Sequence, residues 1–127
     1  MTLQFKRHYS VEEARALLPQ IRQWLSQLAH LRQQLAEGDR SLGVGSSYGQ
    51  DLGGERVNRH VRTLADIKDL LWQFQSREIQ VKDLDCGLID FPALVGGREV
   101  FFCWEQDEDD IEFWHEIDAG YAGRERL

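Results

Sequence analysis

Apolar positions along the first half of the chain recur at helical intervals. Ala14, Leu17, Ile21, Trp24, Leu28, Leu31 and Leu35 are spaced alternately three and four residues apart, an a/d seam suited to a helix packed lengthwise on a neighbour. Ser10 and Glu13 precede the seam with the S-x-x-E spacing of a capping box, in which each side chain serves the other's free backbone N–H. The pattern predicts a helix over 11–37, roughly 40 Å long at about 1.5 Å per residue. Pro19 lies beyond its first turn, where it removes a backbone bond and should kink it. Val57, Val61, Leu64, Ile67, Leu71 and Phe74 keep the same rhythm, with Leu70 and Trp72 widening the stripe, and predict a second helix over 55–78. Between them, GDRSLGVGSSYGQDLGG over 38–54 reads as a flexible linker. It is no phosphate loop, because it follows a helix and lacks the G-K-[ST] ending. Two long helices so joined should fold back as an antiparallel hairpin.

After residue 78 the period changes. Ile79 and Val81 alternate with Gln80 and Lys82 as a strand does. Asp85-Cys86-Gly87 is turn chemistry, Leu88 to Phe91 reads as a second short strand ended by Pro92, and Gly96-Gly97 marks a hairpin-like turn. Glu99 to Trp104 follows as a strand whose run Val100–Trp104 is apolar on both faces, the pattern of a strand covered on both sides. The acidic run Asp107–Asp110 is expected to open a short helix that puts Ile111, Trp114, His115 and Asp118 on one side. Alternation over Ile111–Ile117 fits a strand as well, and the pattern leaves that choice open. The fold class predicted is α+β: a long antiparallel helical hairpin, then a small antiparallel sheet and a short C-terminal helix, in a single domain over 1–127 whose acidic, β-rich cap spans 79–127.

Composition narrows the class of protein. A chain of 127 residues carrying −7 is one domain's worth and ordinary for a globular protein. No run approaches the roughly 20 apolar residues that span a bilayer, and MTLQFKRHYS has no signal-peptide core, so a cytoplasmic protein without membrane contact is expected. Cys86 and Cys103 stand in no metal-type spacing and read as free thiols. From Asp83 onward there are 13 acidic and 3 basic residues, against 9 acidic and 12 basic before it. That acidic end repels a duplex, and Arg56, Arg59, His60 and Arg62 form the sole basic cluster of note, so nucleic-acid binding is not expected.

Two long stretches, YSVEEARALLPQI and KDLDCGLIDFPALVGGREVFFCW followed by IEFWHEIDAGYAGR, resemble a prokaryotic family catalogued as conserved domain of unknown function twenty-two-zero-three. The resemblance covers nearly everything but the Gly/Ser linker. It implies a small soluble prokaryotic protein folded as one intact domain, and brings no activity, cofactor or catalytic residue with it.

Candidate chemistry gathers in the C-terminal motif. Asp83, Asp85 and Asp90 with His115 could hold a divalent cation such as Mg²⁺, Mn²⁺ or Zn²⁺, although turn formation also explains Asp83 and Asp85. Should the chain be an enzyme, His115, Asp118, Asp83 and Asp90 are the candidates, with Asp118 placed to orient the imidazole and the carboxylates dividing acid and base duties. Cys103, mid-strand, reads as small core filling, and Cys86 has an acidic neighbour that disfavours thiolate; neither is a convincing nucleophile. Trp104, Trp114, Phe101, Phe113 and Tyr121 could line a pocket or a partner surface, with Arg98 and Arg124 as anion clamps, or could simply pack the core.

Two expectations follow. The first is a non-enzymatic, homodimeric interaction or assembly module with an unidentified protein partner and no cofactor, because roughly 50 residues cannot cover the sides of two long rods. The second is a small metal-dependent enzyme or ligand-binding protein, which requires Asp83, Asp90, His115 and Asp118 to converge within about 5 Å in a concave site.

Overall fold

A computed structural model describes residues 2–45 and 53–127, side chains of 41–45 and 53 excepted. The element order is α1 (Val11–Gly45), α2 (Gly53–Gln75), β1 (Gln80–Asp83), β2 (Leu88–Val95), β3 (Arg98–Glu105), β4 (Phe113–Glu116), a 3-10 turn (Tyr121–Gly123) and β5 (Glu125–Arg126). The fold is α+β. Two compact units divide the chain: Met1–Gln23 with Gln73–Leu127, and Trp24–Trp72. Among the described residues no helix is long and apolar enough to cross a membrane.

The capping box forms as the spacing predicts. Ser10 N donates to Glu13 Oε1 at 2.9 Å, and Glu13 N donates to Ser10 Oγ at 3.0 Å. The bond from Ser10 N first, and then the Ser10 hydroxyl beside the carboxylate, favour the ionised form and hold Glu13 below its ordinary range. Pro19 sits inside α1 on its exposed side. Of the seam, Ala14, Ile21, Trp24 and Leu28 are buried, while Leu17, Leu31 and Leu35 are half-buried; Leu18 and Leu25 join the buried set.

In the helical unit, α1 runs eight residues past the boundary at Glu37 that the Gly/Ser composition predicts. Gly38 is helical, and its reason is packing rather than flexibility: a Cβ there would meet His60 Nδ1 at 2.7 Å. Next to it His60 Nε2 pairs with Asp39 Oδ1 at 3.0 Å. Residues late in α1 (Gln34, Glu37) share a cleft with the start of α2 (Arg56, Arg59), and residues earlier in α1 (Gln27, His30, Leu31) share a groove with its later turns (Asp66, Leu70). The hairpin is therefore antiparallel. What remains of the expected linker, 46–52, lies outside the described residues.

The second helix ends at Gln75, three residues before the predicted boundary at 78. Glu78 N donates to Gln75 O and Ile79 N to Phe74 O, the paired bonds of a Schellman cap. Glu78 holds the left-handed position (φ 57°) that glycine usually takes. Its carboxylate accepts a bond from Lys6 N, so the residue ties the N-terminal segment to the helix end.

All five strands form one antiparallel sheet in chain order. The Gly96-Gly97 turn joins β2 and β3 through two residues with φ of 60° and 78°, the positive pair of a type I′ hairpin. Pro92 does not end β2; the strand runs through it to Val95. The reason is local. β1 pairs with β2 only at Leu88, Ile89 and Asp90, so the outer edge at Pro92 is free of a strand. Pro92 O accepts from Tyr9 N at 2.7 Å on that edge, where the missing N–H would also have pointed. Val100, Phe101, Phe102, Cys103 and Trp104 are all buried, as expected of a strand covered on both faces.

The C-terminal helix expected to carry Ile111, Trp114, His115 and Asp118 is absent at that place. Phe113–Glu116 is β4, paired on β3, and the short C-terminal helix is the 3-10 turn at Tyr121–Gly123. The carbonyls that would start a helix at the acidic run are already engaged. Arg22 donates to Gln106 O, Glu108 O and Asp109 O, and Trp104 Nε1 donates to Glu108 O.

Candidate functional site

Strand pairing assembles a buried polar group from three strands. Asp90 on β2 lies opposite Cys103 on β3, and Phe101 on β3 lies opposite His115 on β4. Directly opposed residues share a sheet face, and so do residues two apart, so Asp90, Cys103 and His115 all project from one side. Asp90 is 2% and His115 1% exposed, and Cys103 is fully buried. His115 Nε2 reaches Asp90 Oδ2 at 2.9 Å, and Nδ1 reaches Glu116 O at 2.6 Å. The imidazole is tilted against the Phe101 ring, centroids 5.5 Å apart, and Phe101 in turn meets Phe5 edge-on.

These partners decide where the protons are. A carbonyl oxygen only accepts, so Nδ1 carries hydrogen. One further proton is then shared between Nε2 and Asp90, as imidazolium with carboxylate or as imidazole with carboxylic acid. Either way the pair is neutral overall, which is the condition for burying it. Asp90 Oδ1 is buried without a hydrogen-bond partner of good geometry. Burial first, and then the Asp90 carboxylate, push the Cys103 thiol far above its ordinary value. As it stands Cys103 is a neutral thiol and no nucleophile.

Of the residues singled out in the sequence, the fold brings Asp90 and His115 together and adds Cys103. Asp83 instead caps its own turn: Oδ1 accepts from Asp85 N at 2.8 Å and Cys86 N at 3.2 Å, the Asx-turn its position suggests. Asp83, Asp85 and Asp118 are exposed. The carboxylate on the His115 ring is that of Asp90, not Asp118. Cys86 is exposed beside Asp83 and Glu105; partial desolvation and these carboxylates raise its thiol pKa.

The aromatic set is divided by the sheet. Phe101 and Phe113 share the Asp90 face, while Phe102, Trp104 and Trp114 project from the other, where Arg22 of α1 lies over Trp104 at 4.9 Å. Both arginines considered as anion clamps are held by carboxylates. Arg98 pairs with Glu116, and Arg124 makes a two-pronged contact to Glu108 at 2.7 and 2.6 Å. Arg124 also stacks on Phe113 at 3.9 Å and Tyr121 at 4.8 Å.

A family model described as uncharacterized conserved protein (DUF2203) matches residues 7–127. The chain belongs to this family. The match takes in both helices and every strand, so the Asp90–Cys103–His115 group lies within the family's own domain rather than on an appendage. No curated protein and no solved structure matches the chain.

Proposed function

We propose that this family member is a non-enzymatic assembly module that works as a homodimer through α2. The observation behind this reading is a stripe of apolar side chains left in solvent along one side of that helix. Val57 is 47%, Val61 56%, Leu64 46% and Trp72 61% exposed. At about 100° per residue these four, with the stem of Lys68, fall within an arc of roughly 80°. A helix side of that kind in water favours association.

Charge argues that the occupant is a second copy of the same helix, running the other way. Arg62 in the first half of α2 and Asp69 in the second lie on the same flank of the stripe. Pairing two copies about a twofold axis near Leu64 lays the stripe of each along that of its partner. It also lays Trp72 of one copy over Val57 of the other, and repeats an Arg62–Asp69 pair on both sides. The enzyme reading taken from the sequence would instead need Asp83, Asp90, His115 and Asp118 in one open cleft, and of these only Asp90 and His115 meet.

Sedimentation of the full chain tests the proposal. A dimer at tens of micromolar is expected, and Val61→Glu should weaken it by about 100-fold. Arg62→Asp and Asp69→Arg should each weaken it by about tenfold, and the double swap should restore it. A clean monomer at the same concentration overturns the reading.

A further inference from the structure

Independently of how the protein assembles, we propose that Asp90, Cys103 and His115 form a buried zinc site. The donor atoms of the three side chains all lie within 4.8 Å of one another. Zinc–ligand bonds of about 2.0–2.3 Å put tetrahedral donors roughly 3.3–3.8 Å apart, so side-chain adjustments of about 1 Å close the set. Three further observations favour a metal over ordinary core filling.

First, the ring is presented as metal-binding histidines are. Nδ1–H is fixed on the Glu116 carbonyl, which orients the imidazole and leaves Nε2 as the ligand nitrogen. Second, Asp90 Oδ1 is buried with no hydrogen-bond partner of good geometry, a condition that destabilises a core unless the atom finds a ligand. With Cys103 Sγ and His115 Nε2 the Asp90 carboxylate makes three protein ligands, Oδ1 chelating alongside Oδ2 through the short bite of one group rather than filling a separate tetrahedral corner. Third, the charge balances. Zn²⁺ takes the place of the thiol proton and of the proton shared by Asp90 and His115, so two protons leave for each ion that enters. The site is neutral before and after, as a fully buried group must be.

The donor set also selects the ion. One thiolate, one imidazole and one carboxylate suit zinc, whereas Mg²⁺ and Ca²⁺ ask for oxygen throughout. No position in the cluster faces solvent, so the role is structural: the ion would pin β2, β3 and β4 together beside Phe101.

Elemental analysis of the full chain, both as purified without chelator and after refolding with Zn²⁺, should find about one zinc per chain. Refolding with Co²⁺ gives the spectroscopic counterpart. A thiolate-to-cobalt charge-transfer band and strong four-coordinate d–d bands are expected. Cys103→Ser should abolish the charge-transfer band, and Cys86→Ser should leave it intact. His115→Gln should lower the metal content at least tenfold at equal zinc. Substoichiometric metal in both wild-type preparations overturns the proposal. So does a thiolate band that survives Cys103→Ser or disappears in Cys86→Ser.

Discussion

The helical unit and the sheet unit bury their apolar residues very differently. In the sheet, Ile89, Phe91, Ala93 and Val100 through Trp104 are all 6% exposed or less. Along α2 of the hairpin, Val57, Val61, Leu64 and Trp72 are 46–61% exposed. The difference follows from geometry. A strand turns successive residues to opposite faces, and β3, flanked by strands and covered on both sides, leaves none of its central residues in water. A helix in a two-helix hairpin has one neighbour, so one side of it stays uncovered. The same apolar content therefore makes a core in one unit and a solvent-facing stripe in the other.

Phe91→Ala tests that contrast where its effect is largest. Phe91 is fully buried and meets Tyr9 edge-on at 5.6 Å, so its truncation should cost about 3–5 kcal/mol in chemical denaturation. A loss under about 1 kcal/mol would mean that the sheet core is looser than its burial indicates. Ser10→Ala should cost about 1 kcal/mol by removing the cap of α1. Here pH sharpens the picture. The folded Glu13 pKa lies below its unfolded value, so what the ionised carboxylate contributes is present above the unfolded value and fades as pH falls through the folded one. The gap between wild type and Glu13→Gln should narrow on acidification over that window; a constant gap would show that the charge on Glu13 contributes nothing to the box. The smallest effect belongs to the hairpin. Val61→Ser, measured under dilute conditions that keep the chain monomeric, should shift stability by no more than about 0.5 kcal/mol, because the side chain is already in water. A larger loss at the same dilution would show that the stripe packs within the chain.

The site was partly legible. Two glycines at 96 and 97, flanked by apolar runs, announce a two-residue hairpin, and its register places Asp90 opposite Cys103 by counting outward from the turn. That signal could have joined Cys103 to the polar group. His115 could not be placed in the same way. The connection from Glu105 to Phe113 is long, and its conformation depends on Arg22 of α1 reaching the carbonyls of Gln106, Glu108 and Asp109. Composition misled at Gly38, where glycine marks a close approach to His60 rather than a break. It misled again at Pro92, whose strand continues because its outer edge carries no ladder.

Local chemistry settled within a few residues is what the sequence by itself determined: the capping box at Ser10 and Glu13, the helical period of both rods, the Asx-turn at Asp83 and the glycine hairpin. Each depends on neighbours in the chain and on backbone preferences that travel with the residue. Tertiary structure alone decided that Phe113–Glu116 would be a strand, that Asp90 rather than Asp118 would meet His115, and that Cys103 would join them. Those outcomes rest on long-range pairing, where partners far apart in sequence supply the hydrogen bonds and burial that override local propensity.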